Sequence, residues 1–162
     1  MAISYVLSMD PGIRGCGCAV WCGPHLMKAA YIANTVDKGN DVRAVVHMAK
    51  QVEEFAGRID GFICESPQVY NESASKKNDN DILPLVGVDG AVAAFLYAKG
   101  TRHFSQYSPR DWKGQVPKDI MCKRIEARLS QDELDSITMP CASLQHNVWD
   151  GIGIGLKFLG RL

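Results

Sequence analysis

This chain has no long hydrophobic run, no surplus charge of either sign and no paired cysteine motif, and each absence removes a class of function. Its apolar stretches are broken by Gly, Asp or Lys well short of the roughly 18 residues a bilayer span requires, and its opening residues show no basic segment leading into a signal-like apolar run. The expectation is a cytoplasmic protein with no membrane partner. Lys and Arg total 18, as do Asp and Glu, so the formal net charge is +0 and no whole-molecule field draws it towards a polyanion. Cys16, Cys18, Cys22, Cys64, Cys122 and Cys141 form no C-x-x-C pair and have no histidines at zinc-finger intervals. Cys16 and Cys18 alternate with glycine in an expected strand and Cys64 sits in another, so these read as small buried thiols in a reducing compartment. No internal repeat, linker or low-complexity segment interrupts the chain.

What is present is the composition of one ordinary globule. A chain of 162 residues, 46% hydrophobic and 22% charged, can bury a proper core, and residues 1–162 read as a single domain. Charge is uneven within the neutral sum, because Lys99, Arg102, Arg110, Lys113, Lys118, Lys123, Arg124 and Arg128 crowd into one third of the sequence. That crowding makes either a local basic face or a solvated helix.

Hydrophobic periodicity orders the elements. Strands are expected at Ser4 to Asp10, Cys16 to Trp21 and around Lys28 to Thr35, joined by turns through Pro11 to Gly15 and Gly23-Pro24, which makes an antiparallel meander. Asn40 or Asp41 can cap a helix whose Val42, Val45, Val46, Ala49, Val52 and Ala56 recur at helical spacing. Gly61 to Glu65 is a short continuous apolar run, the form of a central strand covered on both faces. The polar segment Ser66 to Asn80 reads as a mobile loop. A helix from Ile82 to Lys99 follows, whose Gly87, Gly90, Ala91, Ala93 and Ala94 suit close approach by another backbone. Then come a strand from Arg102 to Tyr107, a helix opened by Pro117 and running to about Leu129, an acidic stretch Gln131 to Ser136, and a terminal helix from about His146.

Three acids stand out against this scaffold. Asp10 ends the first strand and is followed by Pro11-Gly12-Ile13-Arg14-Gly15; Glu65 ends the central strand; Asp150 lies within His146-Asn147-Val148-Trp149-Asp150-Gly151. Asp-Pro-Gly alone is a good turn former, and an acid on a helix is commonplace. Glu65 has no turn-forming reason for its place, and burying it requires a cation or a donor. Carboxylates gathered by folding repel one another unless a cation neutralises them, and magnesium prefers oxygen ligands.

The order of elements and acids resembles the RNase H-like superfamily and, more closely, the RuvC family of Holliday junction resolvases in the compact form found in bacteriophages. The segments that carry the resemblance are Met9-Asp10-Pro11-Gly12 with Gly15 and Gly17, the Glu65 strand end, Ser108-Pro109 with Trp112-Lys113-Gly114 and Lys118, and Asn147 to Gly153. It implies an α/β fold with a five-stranded mixed sheet, a three-strand meander plus two parallel strands, flanked by helices. It also implies an endonuclease that resolves four-way DNA junctions by paired nicks leaving 5′-phosphate and 3′-hydroxyl ends, acting as a homodimer with two Mg2+ ions per site, for which Mn2+ can substitute. Asp10, Glu65 and Asp150 match the acidic metal positions.

The family commonly places a fourth acid one turn before the last, and this chain has Asn147 and His146 there instead. Both share a helical face with Asp150, so either can complete the site, Asn147 as a metal ligand or His146 as a catalytic group. Lys118, with Lys113 and Arg14, falls where the resemblance implies phosphate contacts, and Tyr70 near the place of a base-stacking aromatic. The competing readings are an RNase H-like nuclease acting on RNA, RNA-DNA hybrid or other branched DNA, and a non-catalytic nucleic-acid-binding module. The phosphate loop of actin-like ATPases is only loosely echoed by Asp10, Gly12 and Gly15, and 162 residues are too few for their two domains.

Overall fold

The computed structural model describes residues 4–36, 41–67 and 82–162. Strands β1 (Tyr5–Asp10), β2 (Gly15–Cys22) and β3 (His25–Ala33) form the expected antiparallel meander. Helix α1 (Val42–Ala56) crosses to β4 (Gly61–Glu65), which runs parallel to β1, and helix α2 (Leu83–Ala98) crosses to β5 (His103–Tyr107), parallel to β4. Short helices α3 (Pro109–Trp112), α4 (Lys118–Glu126) and α5 (Gln131–Asp135) precede a two-residue strand β6 (Ile137–Thr138), and helix α6 (Gln145–Phe158) closes the chain. The sheet order is β5-β4-β1-β2-β3-β6.

The sheet therefore has six strands where the sequence predicts five. The addition is β6, which pairs in parallel with Ala29 and Ala30 of β3 and is too short to show any hydrophobic period. The acidic stretch before it is helix α5, started by a capping box in which Ser130 accepts from the Glu133 N–H while Glu133 accepts from the Ser130 N–H. Helix α4 ends at Glu126, short of the expected Leu129.

Both faces of the sheet are covered, which explains why its central strands are apolar without interruption. On one face Leu7, Met9, Cys16, Cys18, Phe62 and Cys64 pack against α1 and α2, through residues such as Met48, Val52, Val88 and Val92. On the other, Val6, Ala19, Trp21 and Ile63 pack against α6 and α4, through Ile125, Val148, Ile152 and Ile154. The side-chain period of two along β1 thus sends Val6, Ser8 and Asp10 to the α6 face and Leu7 and Met9 to the other. Along β4, Ile63 and Glu65 share that α6 face, while Phe62 and Cys64 lie opposite.

Asp41 caps α1 by accepting from the Ala44 N–H at 2.9 Å. Ala49, Val52 and Ala56 face inward as the period predicts, but Val42 and Val46 are 78% and 45% exposed. Among the described residues, the small residues of α2 do not bring a second backbone close: a Cβ on Gly90 would meet nothing within 4 Å, and one on Gly87 only the Val45 methyls at 3.5 Å.

Close backbone approach occurs instead between β2 and α6. A Cβ on Gly17 would lie 1.7 Å from the Asn147 carbonyl oxygen, and one on Gly151 2.5 Å from the Gly17 carbonyl oxygen, so only glycine fits either place. This contact seats α6 on the sheet. A buried network locks it: the Trp21 indole N–H donates to Ser8 Oγ at 2.9 Å, and the Ser8 hydroxyl donates to the Gly151 carbonyl at 2.8 Å. The residue next to Gly151 is Asp150.

Candidate active site

Asp10 and Glu65 end adjacent parallel strands on the same face, and α6 lowers Asp150 onto that face from above. The three acids share one local field. The Asp10 carboxyl is held well above its usual range, chiefly by burial and then by the charges of Asp150 and Glu65, with Lys113 opposing.

Lys113 reaches the rim from the far side. Ser108 starts α3 with a capping box, accepting from the Asp111 N–H while Asp111 accepts from the Ser108 N–H and hydroxyl at 3.0 and 2.7 Å. Pro109 occupies the first turn, where its missing N–H costs nothing. The rigid turn points Trp112 and Lys113 at the acids. The buried Trp112 indole donates to Glu65 Oε2 at 2.7 Å. The Lys113 ammonium lies 3.4 Å from Glu65 Oε2 and 3.3 Å from Asp150 Oδ2, and 4.7 Å above the Trp112 ring. Burial works against its charge, yet Asp150, Glu65 and Asp10 together raise its pKa.

The rim is thus a set of hard oxygen donors, which is the chemistry magnesium and manganese take. Among the described residues no three His, Cys, Asp or Glu side chains stand close enough to enclose an ion in this arrangement. Between Glu65 and Asp150 the positive charge is the Lys113 ammonium, so a divalent ion ligated there requires Lys113 to turn aside.

The remaining sequence candidates divide. Asn147 and His146 are half-buried in the first turn of α6, and the Asn147 amide N–H donates to the Leu144 carbonyl at 3.3 Å. Lys118 begins α4 and is exposed, as is Arg14 in the β1–β2 turn. Neither reaches the acids by a hydrogen bond or ion pair among the described residues. Tyr70 and most of its polar segment lie outside the described residues.

Sequence reasoning placed Lys113 against DNA phosphate; the structure places it between two acids. It passed over Trp112 as a donor to Glu65, although Ser108-Pro109-Arg110-Asp111 spells a capping box that would have fixed both residues on one turn. It also passed over Asp89, a lone charge in the apolar run of α2, which is 5% exposed.

No family model matches the sequence, and no curated protein matches it. Solved structures do match the fold. Thermus thermophilus RuvC in complex with a Holliday junction substrate superposes with a TM-score of 0.67 at 17% identity, covering 98% of this chain and 95% of that one. A second Thermus thermophilus RuvC structure gives 0.62 at 16% identity, covering 97% and 95%. The yeast mitochondrial Holliday junction resolvase gives 0.57 at 12% identity, covering 98% and 80%. The architecture of this chain, from the meander to the helix that carries Asp150, is the RuvC-like variant of the RNase H-like fold.

Proposed function

We propose that the protein is a metal-dependent endonuclease that resolves four-way DNA junctions by paired symmetric nicks, working as a homodimer. The observation that carries this reading is the convergence of Asp10, Glu65 and Asp150 on one rim, mutually repelling and neutralised only in part by Lys113. Likeness in fold to junction resolvases supports the choice of substrate.

In this reading Asp10, Glu65 and Asp150 hold two Mg2+ ions, with Asn147 or His146 completing the set once its side chain turns from the helix start. Bound there, the ions would activate the attacking water and stabilise the leaving 3′ oxygen, so no separate protein base is needed. Trp112 keeps Glu65 oriented through its indole N–H. Lys113, released from Glu65 and Asp150, is placed to meet the scissile phosphate, and Lys118 and Arg14 extend the positive track along the backbone. Tyr70 keeps its role as the base-stacking candidate.

Pairing of two copies is supported by the outer face of α1 and α2. Val42, Val46, Leu83 and Val86 are 78%, 45%, 67% and 52% exposed there, and α1 packs on α2 with the Val45 methyls facing Gly87. An isologous contact through this face sets two rims in two-fold relation, as two equivalent cuts require.

The test compares wild type with Asp10→Asn on a synthetic four-way junction, a linear duplex and an RNA-DNA hybrid, each with Mg2+, Mn2+ or chelator. Paired nicks confined to the junction, abolished by chelator and by Asp10→Asn, are expected. Preferential hydrolysis of the hybrid would move the assignment to an RNase H-like activity, and cutting that ignores chelator would end the metal reading.

A further inference from the structure

Asp89 lies on the α1–α2 face of the sheet, opposite the acid rim, and is not a member of it. Neither of its carboxylate oxygens has a hydrogen-bond partner among the described residues beyond the weakly donating Cys64 thiol. Burial pushes its carboxyl up to about 8, with the neighbouring Cys64 thiol opposing and the Glu65 charge reinforcing. Near neutral pH it is a carboxylic acid, presenting one donor and one acceptor side by side. A buried polar pair left without partners costs stability, and such a group is retained where something else satisfies it.

Asp89 lines a cavity of about 460 Å³, within the size range of ligand sites, with its carboxyl buried at the wall. Phe62 and Phe104 form one wall, their rings edge to face at 6.4 Å, and Phe104 is 39% exposed. Gln106 lines it from β5, with its amide N–H on the Cys64 sulfur at 3.5 Å, and Ser66 stands at the carboxyl end of β4. Ser66 is the residue after Glu65, so the cavity and the acid rim meet at the carboxyl end of β4, from opposite faces of the sheet.

We propose that this cavity is a nucleobase pocket, which takes an unstacked base of a nucleotide flanking the scissile phosphate, with the Phe104 ring against it and Asp89 and Gln106 on its hydrogen-bonding edge. The inference rests on the nuclease reading above and adds a specificity site to it. The chemistry selects the base over other parts of a nucleotide. A neutral acid beside an amide offers the adjacent donor and acceptor that base edges complement. A phosphate would find no cation among the lining residues, and a metal ion would find a single carboxylate, so neither fits. The walls are largely apolar and one is aromatic, as stacking requires.

Gly90 supplies a plug that leaves Asp89 and the rim untouched. It lines the cavity, a Cβ there meets nothing within 4 Å, and leucine favours a helix over glycine. The experiment measures kcat/KM with Mg2+ on four-way junctions that are intact or carry one abasic residue at either nucleotide flanking the mapped cut. With Ca2+ in place of Mg2+, it also follows the fluorescence of 2-aminopurine at the same positions on binding.

For wild type, the abasic residue at one flanking position should cost about tenfold, and 2-aminopurine there should brighten. Gly90→Leu and Asp89→Leu should lose about tenfold on the intact junction, lose nothing further on the abasic one, and leave 2-aminopurine dim. Asp89→Asn, which keeps a donor beside an acceptor, should stay within about threefold of wild type. If Gly90→Leu losses add to the abasic loss, or 2-aminopurine brightens equally in Gly90→Leu, the pocket is overturned while junction cutting stands. Failure of wild type to cut any junction removes the nuclease reading instead, and the fluorescence arm then decides the pocket alone: brightening that Gly90→Leu suppresses supports it, and no brightening overturns it.

Discussion

Two groups of carboxylates in this molecule are built in opposite ways. Glu133 is buried, and every approach to it carries a donor: the Leu26 N–H at 2.8 Å, the Ser130 N–H at 2.9 Å, and the Arg161 guanidinium at 2.8 and 3.0 Å. Led by the Arg161 hydrogen bonds, these hold its pKa down to about 2. Arg161 also donates to the carbonyls of Pro24 and Arg128, so the pair ties the last residues of the chain to the β2–β3 turn and to the end of α4. Asp10 has the reverse surroundings, acids for neighbours and one shared lysine, and its pKa is raised. An acid that holds a fold together is supplied with donors by the fold; an acid kept short of them is held ready for something from outside.

That contrast can be broken from either side. The largest effect is expected at Asp10: the Asn variant should lose about 10³-fold or more of junction cleavage. Metal-free, its thermal midpoint should equal or exceed that of wild type, because mutual repulsion is relieved. Single-turnover cleavage and calorimetry read the two halves separately.

Arg161→Met should do the opposite. Leaving Glu133 buried without its main donor costs about 2–4 kcal/mol in urea unfolding, with the cleavage rate unchanged where the variant remains folded.

Stability against pH separates the groups further. Because the folded-state pKa of Glu133 lies below its unfolded value, its contribution is complete above about pH 4.5 and lost as pH falls towards about 2, an acid limb worth about 2–3 kcal/mol that Arg161→Met flattens. Asp89 has the contrary sign. Its unfolded form ionises near pH 4 while its folded form stays protonated up to about 8, so stability declines as pH rises across that window, by about 1.4 kcal/mol per unit at most. Asp89→Asn should remove that part of the slope, the remainder belonging to Asp10. Cys64 and Cys16, which couple to Asp89 from β4 and β2, are both raised by burial and stay neutral there.

A smaller effect is expected at Lys113. Its ammonium competes for Glu65 and Asp150, so Lys113→Met should tighten Mg2+ binding severalfold, read as a larger midpoint rise per added ion, while slowing cleavage. On the outer face, Leu83→Asp should leave the fold intact and lower the sedimentation coefficient from dimer to monomer.

What the sequence made legible is what repeats or ends abruptly. The meander announces itself by its turns, β4 by its continuous apolar run and α1 by its period, and the acids by standing at strand ends or in a glycine-flanked helix. Gly17 and Gly151 were visible as part of a motif, but their reason, the contact between β2 and α6, joins positions far apart in sequence. The contact of Lys113 with Asp150 was hidden for the same cause: the two stand 37 residues apart, and no local pattern links them. Val42 and Val46 fit the helical period yet face outward, because period finds an apolar stripe without saying how wide a core it meets. Helices α3 and α5 are too short for periodicity, although both carry a serine followed three residues later by an acid, the capping box that starts them.

The most direct measurement of the central claim is an electron paramagnetic resonance titration of Mn2+ against the protein bound to a junction with a non-hydrolysable scissile linkage. About two ions per chain are expected for wild type, with tight binding lost in Asp10→Asn and in Asp150→Asn. Equal Mn2+ uptake by wild type and both variants would contradict the account, because the acids on the rim would then hold no ion.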